Sequence, residues 1–190
     1  MLLAGGRVRK IIKNLSIGLA IFLFFASSDT QATDVFLNNT PAQVYFGPSG
    51  GCTSAIVKEI GKAKQEILVQ AYSFTSKEIA KALVDAHKRG VHAEIILDKS
   101  NRTKRYSAAD FMFNMGIPTY IDAQHAIAHN KIMIIDKETV ITGSFNFTKA
   151  AEEKNAENLL ILKNKDLAKQ YIENWNRHKE HSEVYGEGEQ

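Results

Sequence analysis

Between residues 43 and 179, short runs rich in β-branched residues alternate with segments of helical period. That alternation restricts the chain to a few layered folds. The runs 43–46, 66–72, 92–97, 119–121, 129–136, 139–144 and 158–162 read as strands. The last of them (NLLIL) is apolar throughout, which predicts burial on both faces. Helical spacing covers 53–64, 76–89, 107–115, 148–155 and 166–179. Ser76 is placed to cap the second helix, Ile79, Ala80, Leu83, Val84 and Ala86 form its apolar face, and Gly90 ends it. The fold class expected is α/β, a mixed β-sheet sandwiched between helices. One domain is expected over 33–190, with a loose polar tail from about residue 180.

The first 32 residues follow a different pattern. Arg7, Arg9, Lys10 and Lys13 precede an uncharged, mostly apolar run at 15–26, and the small residues Thr30 and Ala32 follow. That order predicts a secretory signal peptide cut after Ala32, or after Ala26, and hence export to the periplasm or beyond. The run is short for a spanning helix, which needs about 20 apolar residues. A retained membrane anchor is the alternative, and only then would the membrane be a partner. These four cations against Asp29 account for the whole formal charge of +3, so the remaining chain is neutral. Bulk charge therefore gives no argument for nucleic-acid binding.

Cys52 is the single cysteine, so an exported domain must be held by its core rather than by an internal disulfide. Zinc sites built from several cysteines are excluded. His125 and His129 lie four apart without a His-Glu-x-x-His helix, so no metal and no cofactor is expected. His87, His178 and His181 read as solvated, and His92 as a packed or edge residue.

The most informative stretch is His129-Asn-Lys131-Ile-Met-Ile-Ile-Asp136-Lys-Glu-Thr-Val-Ile-Thr-Gly143-Ser144-Phe-Asn146. Along a strand His129, Lys131, Met133 and Ile135 share one face. A two-residue loop at Lys137-Glu138 would set Asp136 opposite Thr139, Lys131 opposite Ser144 and His129 opposite Asn146. One hairpin face would then carry an imidazole, an ammonium, a hydroxyl and a carboxamide, a set suited to phosphate. Gly143 leaves room for close backbone approach. Asp136 falls on the opposite face, which argues for a structural role. Histidine serves as nucleophile or as acid and base near neutral pH. Phosphodiester cleavage needs both, and one imidazole cannot be neutral and protonated at once. No second His-x-Lys with the right continuation exists, so the second imidazole is expected from another copy of the chain.

The spacing His-x-Lys, four residues, Asp, six residues, Gly-Ser-x-Asn resembles the signature of the phospholipase D superfamily. His129, Lys131, Asp136, Gly143, Ser144 and Asn146 fill every place. The single copy, the chain length and the continuation Phe147-Thr148-Lys149-Ala150-Ala151-Glu152 resemble the small bacterial Nuc-type endonucleases over about 40–180. The resemblance implies the phospholipase D/nuclease-like fold, a metal-independent phosphodiesterase, and a homodimer with one composite active site. It also implies an acidic residue after the signature that orients the histidine, a place filled by Glu157. Asp136 and Gly143 are then structural members of the motif.

The substrate expected is nucleic acid, DNA or RNA. Lys99, Arg102, Lys104 and Arg105 follow the strand ending at Asp98 and are candidates for its backbone. Tyr106, Phe111 and Phe113 could stack bases, although one of the two phenylalanines is expected in the core. Ser73 and Thr75 are candidate cleft hydroxyls with a turn role as the plainer reading. A lipid phosphodiesterase of the same superfamily and a noncatalytic phosphate-binding module are the rivals, and a lipid enzyme would show apolar loops beside the site.

Overall fold

The computed structural model describes residues 33–102 and 108–186. The expected signal segment at 1–32 lies outside the described residues, as do Lys104, Arg105 and Tyr106. Eight strands form one mixed sheet: β1 (Ala42–Phe46), β2 (Glu66–Ala71), β3 (His92–Asp98), β4 (Thr119–Asp122), β5 (Lys131–Ile135), β6 (Thr139–Gly143), β7 (Asn158–Lys163) and β8 (Glu183–Val184). Their order is β1-β7-β6-β5-β2-β3-β4-β8. β2, β3 and β4 are mutually parallel, and every other pairing is antiparallel. The helices are α1 (Cys52–Lys62), α2 (Lys77–Lys88), α3 (Ala108–Asn114), α4 (Lys149–Glu153) and α5 (Lys165–His181).

Strand alternation divides the interior into two clusters. On one face Ile67, Val69, Ile95, Leu97, Met133, Ile135 and Ile141 pack with Ile56 and Ile60 of α1 and Ile79 and Leu83 of α2. On the other, Leu68, Ile96, Ile132, Ile134 and Val140 meet Ala168 and Trp175 of α5. Trp175 is pinned by its indole N–H, which donates to the carbonyl of Val69 at 2.9 Å.

Helix starts follow capping chemistry. The side chains of Ser76, Thr148 and Asn164 accept from the backbone N–H three residues on. Each such cap contributes about 1 kcal/mol. α1 begins at Gly51 with a left-handed φ of 81° and no side-chain cap of its own. Glu152 of α4 replaces it, its carboxylate accepting from the amides of Gly51 at 3.1 Å and Thr53 at 2.7 Å. Cys52 is fully buried beside it, and burial followed by the Glu152 charge pushes its thiol pKa up.

Four expectations need correction. β7 is buried on one face only, because its outer neighbour β1 is an exposed edge strand. The tail is not loose from residue 180: α5 runs to His181, β8 pairs with β4, and the buried Tyr185 donates to Asp110 at 2.5 Å. Phe111 and Phe113 both stay exposed, because Met112 between them takes the core position. The hairpin is also one residue out of the expected register. Ile135, not Asp136, lies opposite Thr139, and Asp136 and Lys137 both take left-handed angles in the turn.

That slip has a distant cause. The Asp136 carboxylate accepts from the backbone amides of Lys64, Gln65 and Glu66 at 2.8–3.2 Å, at the start of β2. Burial pushes this carboxyl up, but the three amides outweigh it and hold the pKa below the ordinary carboxylate range. Asp136 is thereby drawn out of the strand and into the turn, and a one-residue shift reverses which face every partner occupies.

Candidate active site

Topology collects the motif at one edge of the sheet. β5 is antiparallel to β2, so its amino end lies beside the carboxyl ends of β2, β3 and β4. β6 and β7 alternate in turn, bringing the end of β6 and the start of β7 to the same edge. Ligands of α/β sheets gather at such an edge.

Lys131 opens β5 on the face that carries Met133 and Ile135 and is only 7% exposed. Its ammonium donates to the carbonyl of His129 at 2.9 Å and lies 5.1 Å from the centre of the Tyr72 ring. Burial lowers its pKa, and the negative charge of Glu157 opposes that shift. His129, two residues earlier, is exposed, with its ring 4.6 Å from that of Tyr72. Tyr72 thus touches both groups, a contact no motif in the sequence announces.

Ser144 and Asn146 are placed by the segment after β6, not by the hairpin face. β6 ends at Gly143, whose φ of 142° suits glycine, and a Cβ there would stand 2.4 Å from the carbonyl oxygen of Asn158. The close approach expected at Gly143 is therefore by the neighbouring strand. Phe145 and Phe147 are both fully buried, and Phe74 bridges to Phe147 with their rings 5.9 Å apart. With alternate residues anchored inward, Ser144 and Asn146 fall on the other side of the segment. The Asn146 side-chain oxygen is buried and has no hydrogen-bond partner among the described residues.

Glu157 was expected to orient His129. Its carboxylate instead accepts from the Ser144 hydroxyl at 2.5 Å and from the Asn155 amide at 3.2 Å, and among the described residues it makes no hydrogen bond to His129. The Ser144 oxygen in turn accepts from the Asn158 backbone at 3.0 Å. The β7 start therefore fixes the serine, and Glu157 reaches Lys131 through charge alone.

The basic loop is partly committed elsewhere. Lys99 donates to the carbonyl of His125 at 3.0 Å, and Arg102 pairs with Glu183 of β8. Thr75 is exposed, and its amide and that of Ser76 donate to the carbonyl of Phe147. An apolar groove of about 700 Å³ adjoins this point, lined by Thr75, Ala80, Phe111 and Met115 among others. Ile127, two residues before His129, is 58% exposed.

His178 and His181 are half-buried rather than fully solvated. Both turn toward Asp122, the fully buried last residue of β4, and His125 joins them. Burial raises the Asp122 carboxyl, but hydrogen bonds from His178 and His125 and the approach of His181 at 3.4 Å outweigh it and hold the pKa at about 2. The three-residue spacing of His178 and His181 on a helix was a visible signal, but nothing in the sequence placed Asp122 opposite them.

Comparison with known proteins identifies the family. The family described as "Cardiolipin synthase, PLD-like domain" matches residues 56–179. A protein of Rickettsia typhi named Phospholipase D is 40% identical over 164 residues, which span 85% of this chain and 80% of that one. Mitochondrial cardiolipin hydrolase of Canis lupus familiaris is 28% identical over 165 residues, 82% of this chain and 64% of its own. The crystal structure of Nuc, a phospholipase D family member from Salmonella typhimurium, superposes with a TM-score of 0.74 and 42% identity. It covers 77% of this chain and 98% of that one. With the motif's side chains drawn to one sheet edge and these relatives sharing most of its length, the chain belongs to the phospholipase D superfamily, is of the Nuc type, and is a phosphodiesterase of that superfamily.

Proposed function

We propose that this chain is a non-specific endonuclease that hydrolyses DNA, and RNA by the same chemistry, at a composite site shared by two copies. The observation that carries the reading is the pairing of an exposed imidazole, His129, with a buried ammonium, Lys131, two residues away at the sheet edge. Among the described residues the ammonium makes one hydrogen bond, which leaves N–H donors for a nonbridging phosphate oxygen. Similarity to Nuc at 42% identity supports the substrate class.

In this mechanism a neutral His129 attacks phosphorus, forming an N–P bond as the P–O bond to the leaving group breaks. His129 of the partner subunit protonates the departing oxygen, then takes a proton from water as the water attacks phosphorus, which breaks the N–P bond and releases the phosphate product from His129. Lys131 and Asn146 of both copies hold the nonbridging oxygens. Glu157 positions Ser144, and Tyr72 supports the His129 ring. The protein ions do this work without a metal at phosphorus. One imidazole must enter the first step neutral and the other protonated, so the rate profile is bell-shaped in pH. We place the enzyme outside the cytoplasm, reached through 1–32 as a cleaved signal.

Mixing wild-type with inactive His129→Asn subunits tests the composite site. At equal amounts and free exchange, about one quarter of the activity remains if both imidazoles serve one phosphate. A residue of about one half would show independent protomers and overturn the dimer mechanism. An acid-labile phosphoprotein trapped on His129 during turnover would support the covalent step.

A second reading has a specific observation behind it. Exposed Ile127 beside His129, and the groove bearing Phe111 and Met115, are the apolar surface a lipid phosphodiesterase would use. Plasmid DNA and phosphatidylcholine vesicles offered to the purified protein separate the two. Faster hydrolysis of the lipid would replace the nuclease assignment.

A further inference from the structure

A second cluster stands at the same sheet edge, on the far side of β3. Asp122 closes β4, His125 lies in the loop that follows, and His178 and His181 lie one turn apart on α5. One ligand atom from each lies within 4.8 Å of all the others. The Nδ1 of His178 is 2.8 Å from the Asp122 Oδ2, the Nδ1 of His125 is 3.0 Å from it, and the Nε2 of His181 is 3.4 Å away.

Hydrogen bonding alone does not satisfy this arrangement. The Nδ1 of His178 and the Nε2 of His181 share the Asp122 Oδ2, while the Nδ1 of His125 lies between the two carboxylate oxygens, 3.1 Å from Oδ1. The Nε2 of His181 is buried and has no hydrogen-bond partner among the described residues. The three rings are also 4.9–5.3 Å apart, so three imidazolium charges would repel one another at close range. A cation among four donors removes both conflicts, because neutral imidazoles then offer lone pairs to it. A tetrahedral zinc ion with ligands at about 2.0–2.2 Å sets them about 3.3–3.6 Å apart. The carboxylate-to-nitrogen separations of 2.8–3.4 Å lie at or below that spacing and the four donors lie within 4.8 Å of one another, so side-chain rotation must even them out around the ion. Three nitrogens and one oxygen suit zinc, whereas calcium and magnesium take oxygen ligands.

We propose that Asp122, His125, His178 and His181 form a structural zinc site that fastens α5 and the loop 123–130 to the end of β4. Four protein ligands close the coordination sphere, the pattern of structural rather than catalytic zinc. The loop it holds leads directly to His129 and is also held by the Ala128 amide, which donates to Asp98 at 2.8 Å, and by Lys99, which donates to the His125 carbonyl. The ion thus supports the approach to the phosphodiesterase site without entering its chemistry. This holds for a nuclease and a lipid enzyme alike.

The test uses the full chain, stripped of metal by a chelator, dialysed and titrated with Zn²⁺ alone. One zinc per chain is expected by elemental analysis. The thermal midpoint should rise by about 5–10 °C at zinc a hundredfold above Kd. Co²⁺ in its place should give the intense visible absorption of a tetrahedral ion, a readout that needs no variant to fold. His178→Ala/His181→Ala and the milder His181→Gln should lose stoichiometric zinc, while His129→Asn should retain it. Absence of stoichiometric zinc, an octahedral Co²⁺ spectrum, or undiminished zinc in folded His181→Gln and the double variant would overturn the site. Hydrolysis that needs zinc while the depleted protein remains folded would move the ion into the reaction and overturn the structural role.

Discussion

Two groups of histidines share one edge of this sheet in opposite surroundings. His129 is exposed, its ring resting on Tyr72, with no hydrogen bond to a carboxylate among the described residues. His125, His178 and His181 crowd a buried aspartate. The same side chain is left open to substrate in one place and tied to the scaffold in the other. A buried carboxylate within reach makes the difference, and chain order does not, since His125 and His129 are both exposed and four residues apart. Loss of the open group should stop turnover in a stable protein. Loss of a tied group should weaken the fold and touch turnover only indirectly.

The largest effect that would sharpen this contrast is at His129. His129→Asn should lower the hydrolysis rate by about 10³–10⁴-fold while the thermal midpoint stays within about 1 °C of wild type. A comparable fall in stability would erase the distinction. Lys131→Met keeps the stem but removes the ammonium, and should cost about 10²–10³-fold in kcat with a smaller change in KM. If KM alone rises, Lys131 holds substrate without favouring the transition state.

Next come two positions that hold the edge together without touching phosphate. Gly143→Ala forces a Cβ against the Asn158 carbonyl at a positive φ, and should cost about 1–3 kcal/mol of stability by denaturant unfolding. Asp136→Asn should cost about 1 kcal/mol at neutral pH, because it weakens the acceptor for three amides. Its pH dependence has a definite sign. The folded pKa of Asp136 is depressed, so its contribution is complete above the unfolded value of about 3.9 and is lost as pH falls through the folded value. The stability gap between wild type and Asp136→Asn should therefore close in acid. A gap that widens there would show that the carboxylate is not held by these amides.

Much of the architecture was legible because periodicity is a local property. Among the described residues apolar spacing located all five α-helices and seven of the eight strands to within a few residues, since burial of one face acts on each segment separately. β8 escaped notice because two exposed residues, Glu183 and Val184, carry no pattern of their own and are ordered by the edge of β4. The motif at 129–146 was equally plain, as its residue types and spacing are unusual in themselves. Its geometry was misjudged by one residue, because the hairpin register depends on amides some 70 positions earlier.

The sequence by itself determined the class of fold, the membership of the phospholipase D superfamily and the residues at which phosphoryl chemistry is expected, because these are carried by side-chain type and by spacing along the chain. Only the tertiary structure decided that Glu157 holds Ser144 rather than His129, that Tyr72 sits against both His129 and Lys131, and that Asp122 gathers three histidines from β4's loop and α5. Apart from the local Asp122–His125 pair, those are relations between residues 13 to 59 apart, set by how strands are ordered and which ends share an edge. Local patterns hold no record of that order, which emerges only when the sheet closes its two faces against the helices.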